Sequence, residues 1–217
     1  MEERTVKELK NEYRKQARDK LADLTEEYRN RASAAIALNA LNIPEIKEVK
    51  REGFLGLAKR EKTVLAYFSV GSEPSTLAVI NELLRSGKRV CLPLCIDLDE
   101  EGHRKDTVDA MEARQITGFD DLVTGAYGIP EPKADTALVP PEEIDIIILP
   151  CISCDRDCNR IGHGAGYYDK FLSRTRKDCF TMALCYEEVM LDDIPTEPHD
   201  MPVDAVVTEE TVYRWRG

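Results

Sequence analysis

The sequence predicts an α/β protein, a three-layer sandwich with a mostly parallel sheet preceded by N-terminal helices. Three observations carry that expectation. Apolar, β-branched runs of strand length alternate with segments of helical spacing. A strand, helix, strand unit stands in the first half of the chain, and its crossover is right-handed in nearly all proteins. The most apolar run, IDIIILP at 144–150, reads as a central strand covered on both faces.

The elements follow in order. Val6, Leu9, Tyr13 and Ala17 keep roughly helical spacing among Lys, Arg and Glu, so a helix comes first. Thr25 suits an N-cap, with Glu26 and Glu27 in the favourable first turn of a second helix running toward Leu41. TVLAYFSV at 63–70 is expected as a buried strand that Gly71 and Ser72 break. Pro74 stands near the start of a helix, STLAVINELLRSG, that ends at Gly87, and RVCLPLCI at 89–96 is the next strand. From Asp97 to Pro141 the chain is turn-rich, and GIPEP at 128–132 forbids regular helix. The central strand feeds a loop holding Gly162, Gly164 and Gly166. A helix, YYDKFLSRTRK, and the strands FTMALCY at 180–186 and VDAVVTE at 203–209 complete the set. One domain over 1–217 is expected, with the helices of residues 1–50 packed on the α/β core. Sheets of this kind bind ligands outside the carboxyl ends of their strands.

Charge narrows the ligand. Lys plus Arg number 30 against 41 Asp plus Glu, a formal charge of -11, so the chain as a whole repels nucleic acid and anionic membrane. An anionic ligand must be held by a local cationic cluster. No stretch reaches the roughly 18 apolar residues of a membrane helix, and MEERTVKELKNEYRKQ has no apolar secretion segment, so a cytoplasmic protein is expected. Seven cysteines, an odd number, read as reduced thiols.

The sharpest motif is Arg160-Ile161-Gly162-His163-Gly164-Ala165-Gly166-Tyr167-Tyr168-Asp169. Alternate glycines between a buried strand and a helix leave backbone amides free to approach a phosphate. Arg160 and Asp169 at its two ends supply an anion clamp and a carboxylate for a metal. The spacing is neither a Walker A loop nor the dinucleotide GxGxxG.

Here the sequence resembles a family. ILPCISCDRDCNRIGHGAGYYDKFL is similar to the signature of the 5-formyltetrahydrofolate cyclo-ligases, also called methenyltetrahydrofolate synthetases. Lys10 and Arg14, the segment YFSVGSEPST and the segment PHDMPVDAVVTEE match three further family motifs in the same order. The resemblance implies an α/β sandwich of the kind shared with phosphosugar isomerases and CoA transferases. It implies an ATP-dependent ligase that phosphorylates the formyl oxygen of 5-formyltetrahydrofolate, after which N10 attacks and phosphate leaves to give 5,10-methenyltetrahydrofolate. The partners implied are these two small molecules with Mg2+, acting on a monomer or homodimer.

Residue by residue, the match assigns Lys10, Arg14, Arg160, Ile161, Gly162, His163, Gly164, Ala165, Gly166, Tyr167 and Tyr168 to ATP, with Arg160 and Lys10 as catalytic cations. Phe68, Glu73, His163, Gly164, Ala165, Gly166 and Tyr167 are assigned to the folate, and Asp169 and Asp200 to magnesium, with Asp204 a third candidate. Lys10 and Arg14, four apart, share a helix face. Glu73 is expected across the sheet end from the phosphate loop, and one of Tyr167 and Tyr168 is expected in the core while the other meets a ligand.

The chain departs from the family at Cys151, Cys154 and Cys158, and at His163 and Ala165 inside the loop. CxxCxxxC followed by His163 leaves open a zinc or iron–sulfur site, against three thiols packing as small hydrophobes. A non-catalytic nucleotide-binding protein on the same fold is the third reading.

Overall fold

The computed structural model describes residues 5–48, 50–52, 58–96, 111–125, 128–164, 166–197 and 200–216. Helix α1 (Val6–Asp23) starts on a reciprocal cap: the Thr5 hydroxyl accepts from the Glu8 amide at 3.3 Å, and the Glu8 carboxylate accepts from the Thr5 amide at 2.8 Å. Helix α2 (Glu26–Asn42) starts on the expected cap, the Thr25 hydroxyl accepting from the Tyr28 amide at 3.1 Å. A short α3 (Pro44–Lys47) follows.

Eight strands form the central sheet: β1 (Thr63–Leu65), β2 (Arg89–Cys95), β3 (Met111–Ile116), β4 (Leu138–Val139), β5 (Ile146–Leu149), β6 (Phe180–Leu184), β7 (Ala205–Val207) and β8 (Val212–Arg214). Helix α4 (Leu77–Arg85) connects β1 to β2, and α5 (Tyr167–Leu172) lies between β5 and β6. The order across the sheet is β8, β7, β6, β5, β1, β2, β3, β4. The five inner strands from β7 to β2 are mutually parallel, and β8, β3 and β4 join antiparallel at the edges. This is the mostly parallel α/β arrangement expected. Ile146, Ile147, Ile148 and Leu149 are wholly buried on β5, as a strand covered on both faces requires. Their core is continuous with Ala17 and Leu21 of α1 and with Ile36 and Ala40 of α2.

Three local expectations are corrected. The regular ladder of β1 ends at Leu65 rather than at residue 70, because the residues after it are tied to Thr76 at the start of α4. The Thr76 hydroxyl donates to the Tyr67 carbonyl at 2.7 Å, and Ser69 and Thr76 each offer an amide to the other's hydroxyl at 3.1 and 3.2 Å. The turn-rich stretch from 97 to 141, of which 97–110 and 126–127 lie outside the described residues, contains β3 and β4. MEARQI has no β-branched residue before Ile116, so pairing with β2 and not propensity makes it a strand. Helix α5 stops at Leu172 instead of continuing through YYDKFLSRTRK, where the hydroxyls of Ser173 and Thr175 fold back onto the carbonyls of Lys170 and Leu172 at 2.7 and 2.8 Å.

Pro93 inside β2 is tolerated because the pairing with β1 has already ended at Cys91, so its missing amide leaves no neighbouring carbonyl unmet. At the opposite, amino end of the sheet, buried Asp145 accepts from the Thr63 amide at 2.9 Å and pairs with Arg60 at 2.9 Å and Arg176 at 3.0 Å. Arg214 of β8 forks onto Glu45 of α3 at 2.8 and 2.9 Å, and this pairing holds the Glu45 carboxyl below its ordinary pKa.

Asp145→Ala strips two guanidinium groups and a strand amide of their acceptor, and is expected to cost about 3 kcal/mol in urea unfolding. Substituting the exposed Asp135 should change stability by less than about 0.5 kcal/mol. Glu45→Gln should cost about 0.5–1 kcal/mol at neutral pH. A depressed carboxylate stabilises above its unfolded pKa and loses that contribution as pH falls through its folded value. Wild type and Glu45→Gln are therefore expected to converge in acid, as measured by denaturation across pH.

Candidate active site

The carboxyl ends of the parallel strands open into a cleft of about 820 Å³. Lys10, Arg14, Phe68, Glu73, Arg160, Ile161, Gly162, His163, Gly164, Gly166, Tyr167, Tyr168, Asp169 and Asp200 all line it. Ala165 lies outside the described residues. Four sequence segments that are far apart in the chain thus converge on one concavity, with α1 forming one wall and the glycine loop another.

The cations are already paired. Lys10 forms an ion pair with Asp200 and lies 3.3 Å from Glu197, and Arg160 pairs with Asp169. The side chains of Lys10 and Arg160 are only 13% and 10% exposed, whereas Asp169 is 69% exposed. The positive charge sits deep and the Asp169 carboxylate stands at the mouth, an order that lets an incoming anion replace Asp169 against Arg160. Arg14 donates from Nε to the Gly162 carbonyl at 3.0 Å and from Nη1 to Asn11 at 2.6 Å, which ties α1 to the loop.

The glycines earn their places by geometry. Gly164 and Gly166 have φ of 99° and 70°, a region that side chains rarely adopt. A Cβ on Gly162 would stand 3.1 Å from Nη1 of Arg160, so a side chain there would push on the guanidinium.

Glu73 is nearly buried. Its Oε2 accepts from the Val70 amide at 2.9 Å, and its Oε1 lies 3.0 Å from Nε2 of His163. The expected separation of Glu73 from the phosphate loop is therefore corrected: β1 and β5 are adjacent parallel strands, so the loops leaving them touch. Tyr167 and Tyr168 both pack against the core and both line the cleft, in place of the expected division between them. Asp204 is absent from the cleft. It accepts from the amide and hydroxyl of Thr181 at 2.7 and 2.8 Å near the amino end of β6.

The cysteine set is also corrected. The thiols that gather are Cys151, Cys154 and Cys185, not Cys158 or His163. Buried Asp155 accepts from the amides of Asp157 and Asn159 at 3.0 and 2.8 Å, closing a turn that carries Cys158 away with φ 67°.

A family model described as the 5-formyltetrahydrofolate cyclo-ligase family matches residues 6–209. The chain belongs to that family. A 5-formyltetrahydrofolate cyclo-ligase of Mycolicibacterium smegmatis is 34% identical over 184 residues, which is 80% of this chain and 90% of that one. A probable 5-formyltetrahydrofolate cyclo-ligase of Schizosaccharomyces pombe is 27% identical and spans 94% of this chain and 97% of its own. The NMR structure of a 5,10-methenyltetrahydrofolate synthetase from Aquifex aeolicus superposes with a TM-score of 0.75 at 29% identity, covering 96% of this chain and 94% of that one. The cyclo-ligase fold thus extends over nearly the whole molecule, N-terminal helices included.

Several cleft residues of this cyclo-ligase family member escaped the sequence reading. Glu197 and Asn11 hold Lys10 and Arg14, and Glu131 belongs to the far wall, supplied by the middle region. The hydroxyl of Tyr67 is buried at the cleft without a hydrogen-bond partner among the described residues. Burial first, then nearby Glu73, pushes its pKa well above the ordinary value, so it stands as a neutral donor. Tyrosine in place of phenylalanine in a buried strand end is the signal that could have found it.

Gly164→Ala is expected to strain the backbone by about 1–2 kcal/mol and to lower Tm by roughly 2–8 °C in a thermal melt. Gly162→Ala lacks that strain and should leave Tm nearly unchanged while weakening binding of inorganic phosphate.

Proposed function

We propose that this chain closes 5-formyltetrahydrofolate to 5,10-methenyltetrahydrofolate with consumption of ATP, at the cleft between α1 and the glycine loop. The observation that carries this reading is the convergence of Lys10, Arg14 and Arg160 with a glycine loop and a nearly buried carboxylate, Glu73, on one cleft of a cyclo-ligase family member. In this reading Arg14, Arg160 and the amides of residues 162–166 receive the triphosphate. Lys10 and Arg160 neutralise the charge that spreads over the transferred phosphoryl group as it reaches the formyl oxygen. The cationic side chains are fixed before substrate arrives, so little reorganisation is needed when that charge develops.

Glu73 accepts hydrogen bonds from NH groups of the pterin, and Tyr67 can donate one from the cleft floor. His163, hydrogen-bonded to Glu73, couples the folate side of the cleft to the phosphate side. Phe68 and the two tyrosines supply flat apolar surface for the rings. Asp169 and Asp200 offer hard carboxylate oxygens beside the phosphate-binding cations, which fits Mg2+, and they would hold it once phosphate takes their places against Arg160 and Lys10. Magnesium there would screen the phosphates. No disulfide joins the cysteines among the described residues, in keeping with a cytoplasmic setting, and a single domain acting as monomer or homodimer suffices for two small-molecule substrates.

A spectrophotometric assay of methenyltetrahydrofolate formation, with and without ATP and magnesium, tests the reading. Activity without ATP, or ATP hydrolysis indifferent to 5-formyltetrahydrofolate, would overturn it. Arg160→Ala and Lys10→Ala each remove a charge-assisted contact worth about 1.5–3 kcal/mol, so kcat/KM for ATP should fall roughly 10- to 150-fold. Glu73→Gln should raise KM for the folate about tenfold, and His163→Ala should reproduce whatever part of the Glu73→Gln effect reaches ATP.

A further inference from the structure

The mechanism leaves one cluster of reactive side chains unused. Cys151 follows β5, Cys185 follows β6, and Cys154 lies on a two-residue strand, Ser153–Cys154, that pairs antiparallel with Arg160–Ile161. Their sulfur atoms all lie within 4.8 Å of one another, and the three residues are 4%, 0% and 1% exposed. We propose that Cys151, Cys154 and Cys185 form a three-thiolate site for one thiophilic d10 cation, zinc(II) or copper(I), under the floor of the cleft.

The backbone prepares the geometry. Leu149 pairs with Ala183 in the parallel β5–β6 ladder, so two residues further on Cys151 stands opposite Cys185. The short hairpin then returns Cys154 over both. Metal–sulfur bonds of about 2.3 Å place three sulfurs roughly 3.8–4.0 Å apart, so the trio needs to contract by less than about 1 Å. Because strand register holds these side chains, a cation meets an arranged site.

One thiol of the trio is set apart electrostatically. Hydrogen bonds from Cys154 and Cys185 hold the Cys151 thiol well below its ordinary pKa, with Arg160 and His163 adding to the effect. Cys91, Cys158 and Cys179 lack such partners, and burial pushes them up to about 12, 11 and 12. Within the trio, burial pushes Cys154 up and the hydrogen bond to Cys151 pushes Cys185 up, so those two thiols give up their protons when the cation binds. An iron–sulfur cluster is disfavoured because thiolates held by different iron atoms of one cluster stand further apart than these sulfurs, which lie within 4.8 Å of one another. The hairpin that carries Cys154 also carries Arg160, so the cation would brace the strand from which the glycine loop departs.

The full chain, purified reduced and free of metal, should be titrated anaerobically with zinc(II) and separately with copper(I), each against a competing chelator. One equivalent should bind in at least one series, and X-ray absorption of that complex should count three sulfur ligands. Cys154→Ser and Cys185→Ala should each weaken binding by about a hundredfold or more, while Cys158→Ser, outside the trio, binds as wild type. The series that saturates at one equivalent identifies the cation. Failure of both metals to compete with the chelator, fewer than three sulfurs, or loss in Cys158→Ser with retention in Cys185→Ala would overturn the proposal. Should the trio variants fail to fold, the stoichiometry and sulfur count of the wild-type complex decide it alone.

Discussion

Burial of β5 between two parallel neighbours is the constraint on which the molecule depends. Ile146 to Leu149 pair with β1 on one side and β6 on the other and are wholly buried. A fully buried isoleucine or leucine contributes about 1.5–3 kcal/mol, and a slip of one residue would also pull Asp145 from the Thr63 amide and from Arg60 and Arg176, so the register is held at the strand's start. Once that register is set, the segments leaving β1, β5 and β6 must emerge side by side at one edge. The polar groups there cannot join a ladder and meet one another instead: Glu73 from one loop finds His163 from the next, and Cys151 faces Cys185. Site geometry is thus a by-product of an apolar strand that touches no ligand.

The second organising effect is electrostatic. A chain of formal charge -11 presents a cleft in which lysine and two arginines face inward, so the cations need local acidic partners until an anion arrives. Asp200 and Asp169 serve that purpose. Neither pair is an idle surface bridge, because one member of each is largely buried. Exchange of carboxylate for phosphate replaces one paired state by another and never exposes a bare guanidinium, which keeps the desolvation penalty small at both ends of the exchange.

How much of this was legible in the sequence depended on whether a signal was local. The caps at Thr25 and the apolar runs of β1, β2, β5, β6 and β7 could be read because propensity and burial pointed the same way. β3 could not, since MEARQI becomes a strand only by pairing with β2. The residues drawn from the family resemblance do meet at one cleft, yet their mutual contacts are long-range: nothing local ties Glu73 to His163, ninety positions away. The cysteines show the same limit. Spacing favoured Cys158 as the third thiol, but the Asp155 turn removes it and strand register supplies Cys185 from a different element.

Ser33 lies in the middle of α2, and its hydroxyl hydrogen-bonds the Tyr186 hydroxyl at 3.0 Å while accepting from the Ser75 amide at 3.0 Å. Tyr186 in turn donates to the Glu73 carbonyl at 3.3 Å. A serine of α2 therefore holds the chain on either side of Pro74, just past the turn that presents the Glu73 carboxylate. α1 and α2 are for this reason architectural partners of the sheet and not an appended arm. The helical pair and the strand-end loops form one mechanical unit, and a change that tilts α2 would be felt first as a misplaced carboxylate in the cleft, before any loss of the sheet itself.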